Sequence, residues 1–383
     1  MDVQGFCEEP FVAVRDLFAQ HFADGRERGA ALAVFQQGKP VINLWAGTRD
    51  KAEERPWTES TLVNVFSTSK MISAICVQGA IDQGDIDVNR PVKDYWPEYA
   101  KEGKGDTTLA WMLNHRAGLP AIRETVANDA LFDWEYMCQR LAAESPWWRP
   151  GEQHGYHMVT YGWLVGEVFR RAMGITLGEY LRQEIAEPFG LDMRLGLPPD
   201  ASNVADLIGA AGTPQAGRIH LFNEVLTNPN GMTAKALTNP SSLMTSSNQP
   251  AWRTMELPSA NVHASAMAVA QLMDLVLRGE GVITEAARER LLCEESAGYD
   301  PVLTTEARFG PGVMLQLPNH AEASFGAVNA AFGHPGSGGA LAFGDPENQI
   351  GFAYVMNQMG PYVMVDPRPR GLVDTLYECL NRR

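Results

Sequence analysis

Residues 67–83, STSKMISAICVQGAIDQ, carry helical spacing with apolar side chains on almost every side. A helix without a polar face has to be covered all round. Whatever this chain folds into must therefore build structure around that helix, and its first turn, Ser67-Thr68-Ser69-Lys70, is deeply set. The material for such a core is present: 383 residues, 45% of them hydrophobic and 20% charged, is a globular composition and not a disordered or fibrous one.

The flanks say what surrounds the helix. Residues 11–22 have apolar side chains at helical spacing, and 30–35 and 40–46 read as two strands joined at residues 36–39. From about 85 to 290 the pattern is mostly helical, with amphipathic runs at 160–173, 177–187 and 264–277. Strand signals return at 309–317, 339–344 and 350–356, and 370–380 closes as an amphipathic helix. The expected fold is α/β (α+β), one catalytic unit with an α/β part from 1–84 and 291–383 and a helical part from 85–290. The boundary crosses the chain twice, so the two parts share a cleft, a favoured ligand site.

Several function classes drop out. A formal charge of −15, from 31 basic and 46 acidic residues, repels phosphate backbones and anionic lipid headgroups. No apolar run approaches the roughly 18 to 20 residues of a membrane span. The opening residues MDVQGFCEEPFVAVRDLFAQ do not read as a secretory signal, so a cytoplasmic protein is expected, with neither nucleic acid nor membrane as partner. Cys7, Cys76, Cys138, Cys293 and Cys379 are scattered and odd in number, and are read as reduced core residues. The histidines lack H-x-x-x-H and H-E-x-x-H spacing, and no phosphate loop or dinucleotide fingerprint occurs, so neither metal nor cofactor is expected. No G-x-S-x-G surrounds any serine, which excludes the nucleophile elbow of the other common esterase architecture.

Three segments carry chemistry. Ser67-Thr68-Ser69-Lys70 is an S-x-x-K at the start of the buried helix; a spacing of three puts Ser67 and Lys70 on one face, where the helix N-terminus favours an oxyanion and a neutral lysine. The loop Pro150-Gly151-Glu152-Gln153-His154-Gly155-Tyr156 leads into a helix and brings a tyrosine to the cleft edge. Gly333-His334-Pro335-Gly336-Ser337-Gly338-Gly339 runs into a strand, where glycines let a ligand approach the backbone and leave an N–H for an oxyanion. Singly, each also reads as ordinary structure: a chance motif, a rim aromatic, a turn.

In order and spacing the three resemble the serine β-lactamase and penicillin-binding-protein superfamily, and most of all the family VIII carboxylesterases, which are class C β-lactamase-like. The likeness extends over Val65-Phe66-Ser67-Thr68-Ser69-Lys70, Leu113-Asn114-His115-Arg116-Ala117-Gly118-Leu119-Pro120, Pro150-Gly151 to Tyr156, PSANVHASA at 258–266, and residues 333–339. The resemblance implies a mainly antiparallel sheet flanked by helices, with a helical part over the cleft. It implies that Ser67 is acylated, that Lys70 and Tyr156 share the proton handling, and that the N–H groups of Ser67 and Ser337 form the oxyanion hole. His334 takes the place of the family lysine, and His334, Gly336, Ser337, Met158 and Trp252 are the expected substrate-binding residues.

Two departures steer the substrate. Tyr156-His157-Met158 replaces a tyrosine, any residue, asparagine pattern, and methionine cannot hydrogen-bond a substrate amide as asparagine does. His334, with an unperturbed pKa of ~6.5, is mostly neutral at pH 7 where a lysine would receive an anionic substrate's carboxylate. The expected function is a serine carboxylesterase acting on short- to medium-chain esters of small molecules. Alternatives are a β-lactamase or D-amino-acid amidase or peptidase with the same nucleophile, an acyltransferase, and a binding protein without catalysis. Lys70 and Tyr156 both stay open as the general base; lowering a lysine pKa from ~10.4 to about 7 takes on the order of 4 to 5 kcal/mol. Phe132, Trp134, Tyr136, Trp147, Trp148, Trp252 and Met255 are candidates for an apolar acyl pocket, and His115 and His263 are read as structural.

Overall fold

The computed structural model describes residues 2–210, 212–215, 220–326 and 328–382. The strands are β1 (Gln4–Cys7), β2 (Gly29–Gln36), β3 (Lys39–Gly47), β4 (Val63–Asn64), β5 (Met193–Leu195), β6 (Val262–Ala264), β7 (Ser296–Asp300), β8 (Thr305–Phe309), β9 (Met314–Leu315), β10 (Phe332–Pro335), β11 (Leu341–Asp345) and β12 (Ile350–Met356). Nine of them form one sheet in the order β1-β3-β2-β12-β11-β10-β9-β8-β7, and every neighbouring pair is antiparallel. The chain's two ends meet in its middle, where β2 pairs with β12 from Ala30 opposite Met356 to Gln36 opposite Ile350.

Local rules explain the hairpin that starts the sheet. β2 and β3 are linked by Gln37 and Gly38, with φ of 52° and 81°. Two residues of positive φ make the tight turn whose twist matches that of antiparallel strands. Along β2 the side chains alternate: Leu32 and Val34 join the core shared with Val14 and Phe18 of the Val12–Ala23 helix and Leu372 and Leu376 of the Pro367–Leu380 helix. Ala31, Ala33 and Phe35 face the larger core, with Val269 and Ala270 of the Ala266–Arg278 helix. Small residues on that face allow close approach. A Cβ on Gly351 of β12 would come 2.5 Å from the Ala270 carbonyl oxygen.

The Thr68–Asp82 helix is buried from Thr68 through Ala80, as its all-round apolar sequence predicts. It lies between the main sheet, where it packs against β10, and the helices that include Thr160–Met173. A three-stranded sheet, β4-β6-β5, leads into it, and Val65 N–H donates to Val262 O at 3.0 Å.

The structure alters four expectations. Residues 309–317 are not one strand: β8 ends at Phe309 and β9 begins at Met314, because Gly310-Pro311-Gly312 turns the chain, with Gly312 at φ 84°. The mostly helical stretch also contains β5 and β6, too short to show a period of two. The helix expected over 177–187 starts as Leu177–Tyr180, widens into a π-turn at Leu181–Ala186 and ends at Phe189. Cys76, Cys138 and Cys379 are buried, but Cys293 is exposed and Cys7 half-buried; all five are free thiols. No helix among the described residues is long and apolar enough to cross a membrane, and they contain no cluster of three metal-binding side chains.

Candidate active site

Ser67 sits on a bend. Phe66 before it has φ 45°, a left-handed conformation that a bulky residue rarely adopts, held by Asn64 Oδ1 accepting the Phe66 N–H at 3.1 Å. The bend ends the run from β4 and starts the helix, leaving Ser67 partly exposed while Thr68, Ser69 and Lys70 are buried. Thr68 Oγ1 donates to His334 O at 3.1 Å, so the helix start is fastened to β10.

Lys70 is fully buried, and its Nζ lies 3.0 Å from Ser67 Oγ, 2.7 Å from Met158 O and 3.0 Å from Ser259 O. None of these acceptors is a carboxylate, and no carboxylate among the described residues pairs with Lys70. Burial without a counter-charge pushes its pKa well below the usual lysine value. The arrangement gives a lysine that can be neutral beside a serine hydroxyl.

Tyr156 brings its ring under this amine, with Nζ 4.8 Å from the centroid, and its hydroxyl is within hydrogen-bonding reach of Ser67. Burial raises the phenol pKa, with Ser67 opposing and Asp300 adding to the rise. The hydroxyl also meets His334 Nε2 at 3.3 Å. His334 Nδ1 is 2.6 Å from Pro335 O, and a carbonyl only accepts, so Nδ1 carries the proton and Nε2 is left as an acceptor. Burial, reinforced by Lys70, lowers the His334 pKa to about 3 against the Pro335 hydrogen bond. His334 is neutral throughout the ordinary pH range, and both of its nitrogens are engaged.

Two further imidazoles close the back of the site. His157 Nδ1 donates to Gly155 O at 2.7 Å while its Nε2 accepts from Leu119 N–H at 3.0 Å, and His115 Nδ1 accepts from His157 N–H at 3.2 Å. Burial lowers the His157 pKa to about 3 and puts that of His115 well below its usual value. Two of these neutral histidines pack on the Tyr156 ring, His115 at 4.8 Å edge to face and His334 at 5.8 Å stacked, and His157 stacks on His115 at 5.7 Å.

The third wall is the turn after β10. A Cβ on Gly336 would fall 2.2 Å from Val65 O, so only glycine lets this turn lie against the start of the Ser67 segment. Gly338 and Gly339 have φ of 85° and 133°. Among the described residues the backbone N–H groups of Ser67 and Ser337 donate to no protein acceptor, as a pair of free oxyanion donors requires.

The structure therefore gathers Ser67, Lys70, Tyr156 and His334 around one point, with the turn that carries Gly336 and Ser337 lying against Val65, two residues before Ser67. Met158 is there too, through its carbonyl on Lys70. Trp252 is not joined to them: it is buried in the larger core, its carbonyl accepting from Asn261 Nδ2 at 2.8 Å, and no hydrogen bond among the described residues links it to the trio. Phe132, Trp134 and Met255 line a cavity of about 240 Å³ with Trp163, Leu177 and Pro258, and Ser67, Lys70 and Tyr156 are not part of its wall. Tyr136 is an exposed side chain. Sequence reasoning missed Ser259, which contributes a carbonyl to Lys70 and whose hydroxyl donates to Val159 O at 2.8 Å. Backbone acceptors carry no residue signature, so only its place in the PSANVHASA block pointed there.

Comparison with known proteins identifies the family. The β-lactamase family profile matches residues 14–376. The chain is 31% identical over 370 residues, 95% of its length and 85% of the relative's, to the esterase/beta-lactamase LipL of Mycobacterium tuberculosis (strain ATCC 25618 / H37Rv). Its fold superposes on a penicillin-binding protein homolog from Caulobacter crescentus with a TM-score of 0.89 and 38% identity, covering 99% of this chain and 100% of that one. A family VIII carboxylesterase superposes with a TM-score of 0.88 and 33% identity over 99% and 100%. The chain belongs to the β-lactamase family, as a serine β-lactamase-like hydrolase.

Proposed function

We propose that this protein is a serine carboxylesterase that forms an acyl-enzyme on Ser67. The observation that carries the ester reading is His334. At the position where a cationic side chain would receive the carboxylate of a lactam or peptide, the chain holds a neutral imidazole with both nitrogens engaged. Uncharged esters need no such receptor.

In the proposed mechanism neutral Lys70 takes the Ser67 proton as Oγ attacks the ester carbonyl. The resulting ammonium is held by Met158 O and Ser259 O. The carbonyl oxygen gathers charge against the free N–H groups of Ser67 and Ser337. As the C–O bond breaks, Tyr156 gives its proton to the departing alkoxide and recovers one from the Lys70 ammonium, so acyl-enzyme and alcohol form with no net change in protons. Water then repeats the sequence and releases the acid. Lysine is favoured over a tyrosine phenolate because burial stabilises the neutral forms of both groups: it readies Lys70 as a base and disfavours the phenolate.

The test is hydrolysis of short and long p-nitrophenyl esters beside a chromogenic cephalosporin, by wild type and Ser67→Ala. Ester kcat/KM far above that for the cephalosporin, and abolished in Ser67→Ala, is the expected result. Dominant lactam turnover would instead favour the second reading, a β-lactamase, which the name of the 31% identical LipL supports.

A further inference from the structure

Beneath the turn that carries Ser337 lies a buried ionic group that plays no part in the mechanism above. Arg368, in the first turn of the Pro367–Leu380 helix, is 6% exposed. Its Nη1 donates to Glu27 Oε1 at 2.9 Å, and its Nε and Nη2 form a fork on Asp366 at 3.1 and 2.9 Å. Glu27 also accepts the Tyr354 hydroxyl. So anchored, Arg368 spends Nη2 a second time, donating to the carbonyl oxygen of Gly338 at 2.6 Å.

That carbonyl belongs to a chain of peptide groups. The Gly338–Gly339 peptide accepts from Arg368 at its oxygen and, through its own Gly339 N–H, donates to Gly336 O at 3.1 Å. The Gly336 carbonyl shares its peptide with the Ser337 N–H, which donates to no acceptor among the described residues. From the guanidinium to the Ser337 N–H there are two peptide dipoles aligned head to tail. Hydrogen bonds in series polarise one another, and a cation at the head of the series makes the last N–H a better donor. Gly360 N–H adds a bond to Gly338 O at 2.7 Å, and Gly338 N–H donates to Tyr362 O at 2.8 Å, so the turn is fixed on both sides. Two glycines make room for the clamp: a Cβ on Gly339 would lie 2.6 Å from Arg368 Nη2, and one on Gly360 2.1 Å from Asp366 Oδ2.

We propose that Arg368 is a positioning residue for the oxyanion hole, orienting and polarising the Ser337 N–H through the Gly338–Gly339 and Gly336–Ser337 peptides. The inference rests on the reading of Ser67 as nucleophile and Ser337 N–H as oxyanion donor. Arg368 touches no substrate; it acts where charge develops in the transition state, so its loss lowers kcat and leaves KM nearly unchanged. Removing an oxyanion donor outright costs about 10²- to 10³-fold in kcat, and weakening one donor is expected to cost about 10-fold.

The experiment compares wild type, Arg368→Gln and Asp366→Asn on p-nitrophenyl butyrate, with rates normalised to the Ser67 sites titrated by a fluorophosphonate, and with affinity for a boronic acid transition-state analogue. Expected are a kcat per titrated site about 10-fold lower in Arg368→Gln, KM within twofold of wild type, and a parallel loss of boronic acid affinity. Asp366→Asn keeps Arg368 but loosens its fork, and a smaller loss of the same kind is expected there, which serves if Arg368→Gln does not fold. Guanidinium is expected to restore part of the rate to Arg368→Ala, entering by the cavity of about 360 Å³ that Arg368 lines with Arg26, Gln358, Gly360, Tyr362 and Asp366. A merely structural role would lower the melting temperature and the number of titratable sites without changing kcat per site, and that result overturns the inference. No ester turnover in wild type beyond that of Ser67→Ala would overturn the esterase reading itself, a failure distinguishable because it appears with Arg368 and Asp366 intact.

Discussion

Two of the buried cations in this molecule, Lys70 and Arg368, differ in their surroundings in one respect. Lys70 is ringed by neutral oxygens: a hydroxyl and two backbone carbonyls. Arg368 faces two carboxylates as well as carbonyls. Burial alone would lower both pKa values, and it does so for Lys70; at Arg368 the charges of Glu27 and Asp366, with Tyr354, outweigh it and the pKa rises. Depth in the protein therefore does not decide whether a base keeps its proton. The partner does. In the proposed mechanism Lys70 gives and takes a proton, whereas Arg368 is surrounded so as to hold its charge fixed.

The largest way to break this contrast is to put a permanent charge in the neutral site. Lys70→Arg is expected to lower ester kcat/KM by about 10³-fold, within the range general acid–base catalysis supplies, in protein whose circular dichroism is unchanged. A milder alteration gives Lys70 the counter-charge it lacks. Ser73 is buried one helical turn on, its Oγ donating to Pro258 O at 2.9 Å beside the Ser259 carbonyl that holds Lys70. In Ser73→Asp the new carboxylate favours the ammonium, so the acid limb of the kcat/KM profile is expected to move up by about one pH unit. An unmoved limb would mean that Lys70 is not the group being titrated.

The smallest expected effect is on stability. His263 Nδ1 donates to Asn261 O at 2.9 Å, and burial lowers its pKa to about 3 in spite of that bond. A base whose folded pKa lies below its unfolded value of ~6.5 supports the fold fully above 6.5 and loses that support as pH falls toward 3. His157 and His334 behave alike. His263→Gln is thus expected to flatten the fall of melting temperature between pH 6.5 and 4, by about one bound proton on unfolding, with little change in kcat.

Much of this arrangement is legible in the sequence. The all-round apolar stretch after Ser67 announces a central helix, and the short continuous apolar runs at 30–35 and 350–356 announce strands. What periodicity cannot reach is which strands adjoin: nothing in β2 says that β12 is its neighbour. Ser67, Lys70, Tyr156 and His334 could be named because side-chain chemistry is written in residue identity and because the order of their motifs resembles that of the serine β-lactamase superfamily. The Ser259 and Met158 carbonyls could not, since every residue has one. Trp252, an aromatic that suits a pocket wall, is buried in the larger core, which its residue type alone does not foretell. Arg368 escaped notice for a related reason: its effect is transmitted through peptide groups of glycines, which carry no side chains to read.

The pairing of β2 with β12 also bears on how the molecule is made. More than three hundred residues separate these strands, and the sheet's middle is the last part whose partner leaves the ribosome. Until residues 350–356 emerge, β2 shows an unmatched row of amide and carbonyl groups on one side, the kind of edge that invites pairing with another chain. Nascent chains of this protein should therefore need shielding for most of their synthesis, and truncation near the C-terminus should cost solubility before it costs anything else.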